Sequence, residues 1–102
     1  MPKLLSTAQV ERYRSEGFAF PVPVLSADEV RSLRADLEYW EKQQGHPLDF
    51  PEKSKSYLLY KWADTLVHHP KVLDAVEDVL GPDILVYHAT MWTKEPHTPA
   101  HV

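Results

Sequence analysis

The sequence predicts an α+β fold, with helices first and strand after them. Three observations carry this. Ser6-Thr7-Ala8-Gln9 and Ser26-Ala27-Asp28-Glu29 each have the form of a capping box, the local signature of a helix start. Pro70, placed where a first-turn proline is harmless, precedes apolar residues at helical spacing and a terminating Gly81. From Ile84 to Lys94 the chain turns β-branched and aromatic, between Gly81-Pro82-Asp83 and Pro96, which is the composition and punctuation of a strand.

In chain order, the first capping box predicts a helix to about Glu16, stopped by Gly17. Phe18 to Val24 alternates apolar residues but contains Pro21 and Pro23, so it fits an edge strand or an extended segment and not a central strand. The second helix starts at Ser26, with Leu25 and Val30 at the positions of a hydrophobic staple. Its apolar face is Val30, Leu33, Leu37 and Trp40, Glu38 and Lys42 are spaced to pair on the wet side, and Gly45 ends it. Residues 46–56 are polar and broken by proline, a loop carrying Lys53 and Lys55. Tyr57 to Trp62 suits either a strand or the start of a short helix through Leu66. In the helix that Pro70 opens, Val72, Leu73, Val76, Val79 and Leu80 form the stripe expected to be buried. In the strand, Ile84, Val86, His88, Thr90, Trp92 and Lys94 share one face and Leu85, Tyr87, Ala89, Met91 and Thr93 the other. No repeat, low-complexity tract or linker interrupts the chain.

Composition bounds the function. A chain of 102 residues is one domain or part of one, and 43% apolar with 25% charged residues is ordinary for a soluble globular protein. A net charge of −4 argues against a nucleic-acid or anionic-membrane surface, so neither partner is expected. There is no cysteine, hence no disulfide or thiol chemistry. The first ten residues lack the basic start and apolar run of a signal peptide, and no apolar stretch is long enough to span a bilayer, so a cytoplasmic location is expected.

Three stretches carry a resemblance, in order along nearly the whole chain: YRSEGFAFPVPVLSADEVRSLRADLE; KSYLLYKWADTLVHHPKVLDAVEDVLGPDI, overlapped at its end by LDAVEDVLGPDIL; and the strand running into TKEPHTPAHV. Together they resemble the phytanoyl-CoA dioxygenase family of iron(II)- and 2-oxoglutarate-dependent oxygenases. The resemblance implies the N-terminal helices and first strand or strands of a double-stranded β-helix, or jelly roll, in one partial domain over residues 1–102. It implies hydroxylation of a small organic substrate with Fe(II) and 2-oxoglutarate. Family members hold iron through a His-x-Asp pair and a distal His, and the resemblance places that pair just after the KEP segment, past the end of this chain. Neither His97 nor His101 is followed two positions later by a carboxylate, and the resemblance places both before the first ligand. The chain is therefore expected to be truncated, to contain no catalytic or metal-ligating residue, and to be inactive alone. The alternative is a short non-enzymatic module that binds a protein or itself through the exposed edge of the 84–94 strand.

For the co-substrate, the resemblance implies a lysine in the loop before the central helices and a small polar residue on the strand before KEP. Lys55, with Lys53 as its register alternative, and Thr90 stand at those positions; a dicarboxylate needs such a cation and hydroxyl. Trp92, on the face of Thr90, shapes the same pocket. Each has a plain alternative: Lys55 as a solvated loop lysine, Thr90 as an ordinary strand residue, Trp92 with Trp40 and Trp62 as core. His88 either faces the pocket or is a buried histidine bonded to neighbouring backbone. His68 and His69 stand at a helix entrance, where the His69 backbone serves as cap. The His97 to His101 spacing is that of a helical metal pair, but Pro96 and Pro99 favour a loop.

Overall fold

In the structure, a computed structural model that describes residues 2–97, the local helix signals govern the architecture. Helix α1 (Thr7–Glu16) begins at Ser6, whose hydroxyl accepts from the Gln9 N–H at 3.1 Å while the Gln9 side chain accepts from the Ser6 N–H at 2.9 Å. Helix α2 (Ala27–Gln44) repeats that reciprocal pair between Ser26 and Glu29 at the same two distances. Two N–H groups at its start, those of Ser26 and Glu29, are thus satisfied before any tertiary contact forms. Substituting Ser26→Ala is expected to cost about 0.5–2 kcal/mol, read as a lowered midpoint in thermal unfolding followed by circular dichroism. Gly45 closes α2 at φ 79° with nothing within 4 Å of the place a Cβ would take, so backbone conformation, not space, calls for glycine there.

Tyr57 to Trp62, open between a strand and a helix entry, takes the second course: a 3-10 turn (Ser56–Leu58) leads through Leu59 and Tyr60 into α3 (Lys61–Val67). Helix α4 (Pro70–Leu80) has Pro70 in its first turn, and His69 caps it through its side chain as well, Nδ1 accepting from the Lys71 N–H at 3.1 Å. Residues 18–24 have neither helix nor strand.

The α+β jelly-roll expectation is overturned. Among the described residues there are four α-helices, one 3-10 turn and no strand. Residues 84–94 form no ladder; they make one isolated antiparallel bridge, Ser54 to Thr90. The reason lies in what each element requires. A capped helix satisfies its own backbone, whereas a strand exists only against a partner, and among the described residues the backbone of 84–92 is paired with other backbone at residues 53–55 alone.

The core is thin. Leu48, Trp62 and Ala63 are buried, and Leu33, Leu37 and Trp40 of α2 pack on them with Tyr57, Tyr60, Leu66 and Met91. The aromatic rings form a ladder, Trp40 edge-on to Tyr60 at 5.5 Å and Tyr60 stacked on Trp62 at 5.8 Å. Burial pushes the Tyr60 hydroxyl up from its ordinary pKa, helped by the charge of Glu52. A second, smaller contact seats Leu5 and Val10 where α1 meets α4.

Three expected details differ. Val30, the staple partner, is 46% exposed. The α4 stripe is not buried: it lines an open groove of about 560 Å³ with Tyr13 and Phe18, and Leu80 is 66% exposed. On α2, Glu38 pairs with Arg34 at 2.6 Å rather than with Lys42. The radius of gyration of 15.8 Å exceeds the ~13 Å of a close-packed domain of this length, in keeping with apolar faces that lack a covering layer.

Two long-range carboxylate contacts tie these elements together. Asp78, on α4, accepts from the backbone N–H groups of Lys3, Leu4 and Leu5 at 2.7, 2.8 and 2.8 Å. Lys3 also reaches Glu77 at 2.7 Å, and that hydrogen bond raises the lysine pKa. Glu29 Oε2 lies 2.6 Å from His69 Nε2, joining the start of α2 to the cap of α4.

Candidate functional site

The bridge between Ser54 and Thr90 joins two segments that lie far apart in sequence, and the site residues chosen from sequence stand on it. The loop is prepared locally: Lys53 N–H bonds to the Asp49 carbonyl at 2.9 Å and Ser54 N–H to that of Pro51 at 3.1 Å, closing a turn. Lys55 takes a left-handed conformation at φ 53°, which reverses the chain into the 3-10 turn behind it. The backbone of 53–55 then meets 89–91 through Lys55 N–H to Ala89 C=O at 2.8 Å and Met91 N–H to Lys53 C=O at 2.9 Å.

Lys55 and its register alternative Lys53 are placed in different environments. The Lys53 side chain is 16% exposed and its ammonium is occupied, 4.1 Å from the centre of the Phe50 ring, 4.8 Å from that of Trp92 and 3.7 Å from Asp49. It lines a cleft of about 530 Å³ that also contains Asp49 and Glu95, a setting unfavourable to an anion. Lys55 is exposed and makes no ion pair among the described residues. Thr90 is half-buried, with its hydroxyl 2.7 Å from His88 Nε2. The bridge therefore brings Lys53, Lys55, Thr90 and Trp92 into one neighbourhood, and Lys55 is the cation there that is not already engaged.

Two other expectations are corrected. His88 is exposed and bonds a side-chain hydroxyl, not buried and bonded to backbone. Trp92 is 68% exposed, while Trp62 is core and Trp40 half-buried. The Thr98 to Val102 segment, with His101, lies outside the described residues.

Among the described residues no three His, Cys, Asp or Glu side chains are grouped so as to hold a metal ion. His68 pairs with Asp64 at 3.1 Å and His69 with Glu29 at 2.6 Å, each a two-residue contact. What the site offers is an ammonium and two hydroxyls around one bridge, donors suited to a carboxylate.

Sequence reasoning missed Phe50, whose ring holds Lys53, and the Asp78 clamp. The first had a signal, an aromatic three residues before a lysine in a proline-bounded loop; the second had none, since its partners are more than seventy residues away. No helix among the described residues is long and apolar enough to cross a membrane. No family model matches the chain, and neither the curated proteins nor the solved structures provide a match to it.

Proposed function

We propose that this chain is a co-substrate-binding portion of an Fe(II)/2-oxoglutarate-dependent oxygenase that hydroxylates a small organic substrate in the cytoplasm, and that it does not turn over by itself. The observation that carries this is the Ser54 to Thr90 bridge. It sets Lys55 and Thr90, picked from sequence for a dicarboxylate, one residue apart across paired backbone. Lys55 supplies the charge and Thr90 the hydroxyl, while Trp92 keeps the Lys53 ammonium occupied against its ring. The described residues include no metal-binding group, so metal-dependent chemistry is assigned to none of them.

Titration with 2-oxoglutarate, followed by amide NMR shifts, tests this. Residues 53–55 and 89–92 are expected to move while α1 does not. Substituting Lys55→Gly retains a left-handed backbone at that position and removes the ammonium; it is expected to weaken binding about tenfold or more, the worth of a charge-assisted hydrogen bond. Thr90→Val is expected to weaken it less. With Fe(II), ascorbate and oxygen added, no succinate is expected. Shifts elsewhere only, or unchanged binding by Lys55→Gly, sink the site; iron-dependent succinate release sinks the claim of inactivity.

A further inference from the structure

The backbone of 82–88 makes no hydrogen bond to other backbone among the described residues, and the side chains it carries are among the most exposed apolar groups present, Leu85 at 88% and Tyr87 at 91%. We propose that residues 84–92 pair antiparallel with the same residues of a second copy of this chain, on a two-fold axis through His88. The pairing uses the backbone edge opposite to the one that meets the loop, and Thr90 and Trp92 of the candidate site lie within the paired stretch.

The hydrogen bonds already present define that edge. Ala89 and Met91 direct their backbone groups at Lys55 and Lys53. Successive residues of an extended chain direct theirs to opposite sides, so Thr90, and with it His88, Val86 and Ile84, offer N–H and C=O away from the loop. In a two-fold antiparallel pair the hydrogen-bonded partners must both come from this set. One register pairs all nine residues from 84 to 92: His88 opposite itself, Val86 opposite Thr90 and Ile84 opposite Trp92. On the other face Leu85 meets Met91 and Tyr87 meets Ala89. Beyond Ile84 stands Pro82, which has no N–H to continue the ladder.

Charge and area favour a copy of this chain as the occupant. The protein carries a net charge of −4, yet no Asp, Glu, Lys or Arg occurs between Asp83 and Lys94, so two copies meet here without like charges opposed. Tyr87 and Trp92 are worth roughly 150–250 Å² each when covered. Supplied by both copies, with Leu85, they add apolar cover to the paired backbone. An antiparallel strand pair is self-complementary, as a two-fold interface requires, and the β-branched and aromatic composition that predicts strand here gains the partner that one chain does not supply.

The chain has no cysteine, which allows a direct test. Cα atoms in a hydrogen-bonded antiparallel pair are ~5.5 Å apart, within disulfide reach. His88→Cys is expected to oxidise to a covalent dimer, and Leu85→Cys, whose neighbour across the axis is Met91, is expected to resist. Light scattering on the unmodified chain should give a dimer whose fraction rises with concentration. Val86→Pro removes an outward N–H and should shift the equilibrium towards monomer at least tenfold, with helical circular dichroism unchanged as the folding control. A monomer at all concentrations, equal cross-linking at 85 and 88, or a dimer indifferent to Val86→Pro with helices intact would each overturn the proposal.

Discussion

Replacing Trp62 with alanine is expected to cost about 3–5 kcal/mol, the usual range for a buried large aromatic, and to lower the thermal midpoint by at least about 12 °C. Trp62 is 9% exposed and, with Ala63 and Leu48, makes up the buried centre on which α2 and α3 meet. Its ring stacks on Tyr60, which in turn packs against Trp40 of α2. Truncation leaves the Tyr60 ring bare on one face and opens the joint between the two helices. The effect is large because nothing else compensates: no side chain described is fully buried, and domain stabilities are typically only ~5–15 kcal/mol. Trp62→Phe keeps a ring in the gap and should recover most of the loss. Thermal unfolding followed by far-UV circular dichroism checks both. A midpoint for Trp62→Ala within a few degrees of the parent would show that the ladder is not what holds α2 to α3.

The same thinness explains what was legible in the sequence. Both capping boxes, the stops at Gly17, Gly45 and Gly81, and the start at Pro70 appear where the sequence places them, because each is decided within four or five residues. The α2 stripe was legible for Leu33, Leu37 and Trp40, which pack, and not for Val30, which faces solvent. Periodicity says which side of a helix is apolar; it does not say how fully it is covered, and on α4 Val72, Leu73, Val76 and Val79 are only half-buried and Leu80 is exposed. The 84–94 strand failed for a related reason: β-propensity measures fitness for a paired, half-buried surface, and the pairing partner is not written in the segment itself. At the candidate site, Lys55, Thr90 and Trp92 were legible only through resemblance. Their common neighbourhood follows from the bridge, and the difference between Lys53 and Lys55 follows from Phe50 and Asp49, which no local pattern marks.

Acidification is expected to release α4 from the rest of the protein, because a carboxylate with a depressed pKa secures each of its ends. At the N-terminal end, the Ser26 N–H and then His69 hold the Glu29 carboxyl down to about 2 from an ordinary 4.5, against a smaller opposing effect of burial. Towards the C-terminal end, burial pushes Asp78 up, but the N–H groups of Lys3, Leu5 and Leu4, with the Lys3 charge, together outweigh it and leave the pKa lowered. The sign follows from linkage. A carboxyl whose folded pKa lies below its unfolded value contributes stability that is complete above the unfolded pKa and disappears as pH falls through the folded one. For Glu29 that window runs from 4.5 down to about 2, and Asp78 loses its share over the lower part of the acid range beneath its ordinary 3.8. Denaturant unfolding measured in steps through this range should therefore show falling stability in the parent. Glu29→Gln retains an acceptor for the Ser26 N–H and loses the charge opposite His69; Asp78→Asn loses the charge that the three N–H groups share. The double variant is expected to start less stable near neutrality and to change far less with acid, so that the two curves converge near pH 2. Parallel curves would mean that carboxylates other than these two govern acid unfolding, and that the ends of α4 are held by apolar contact alone.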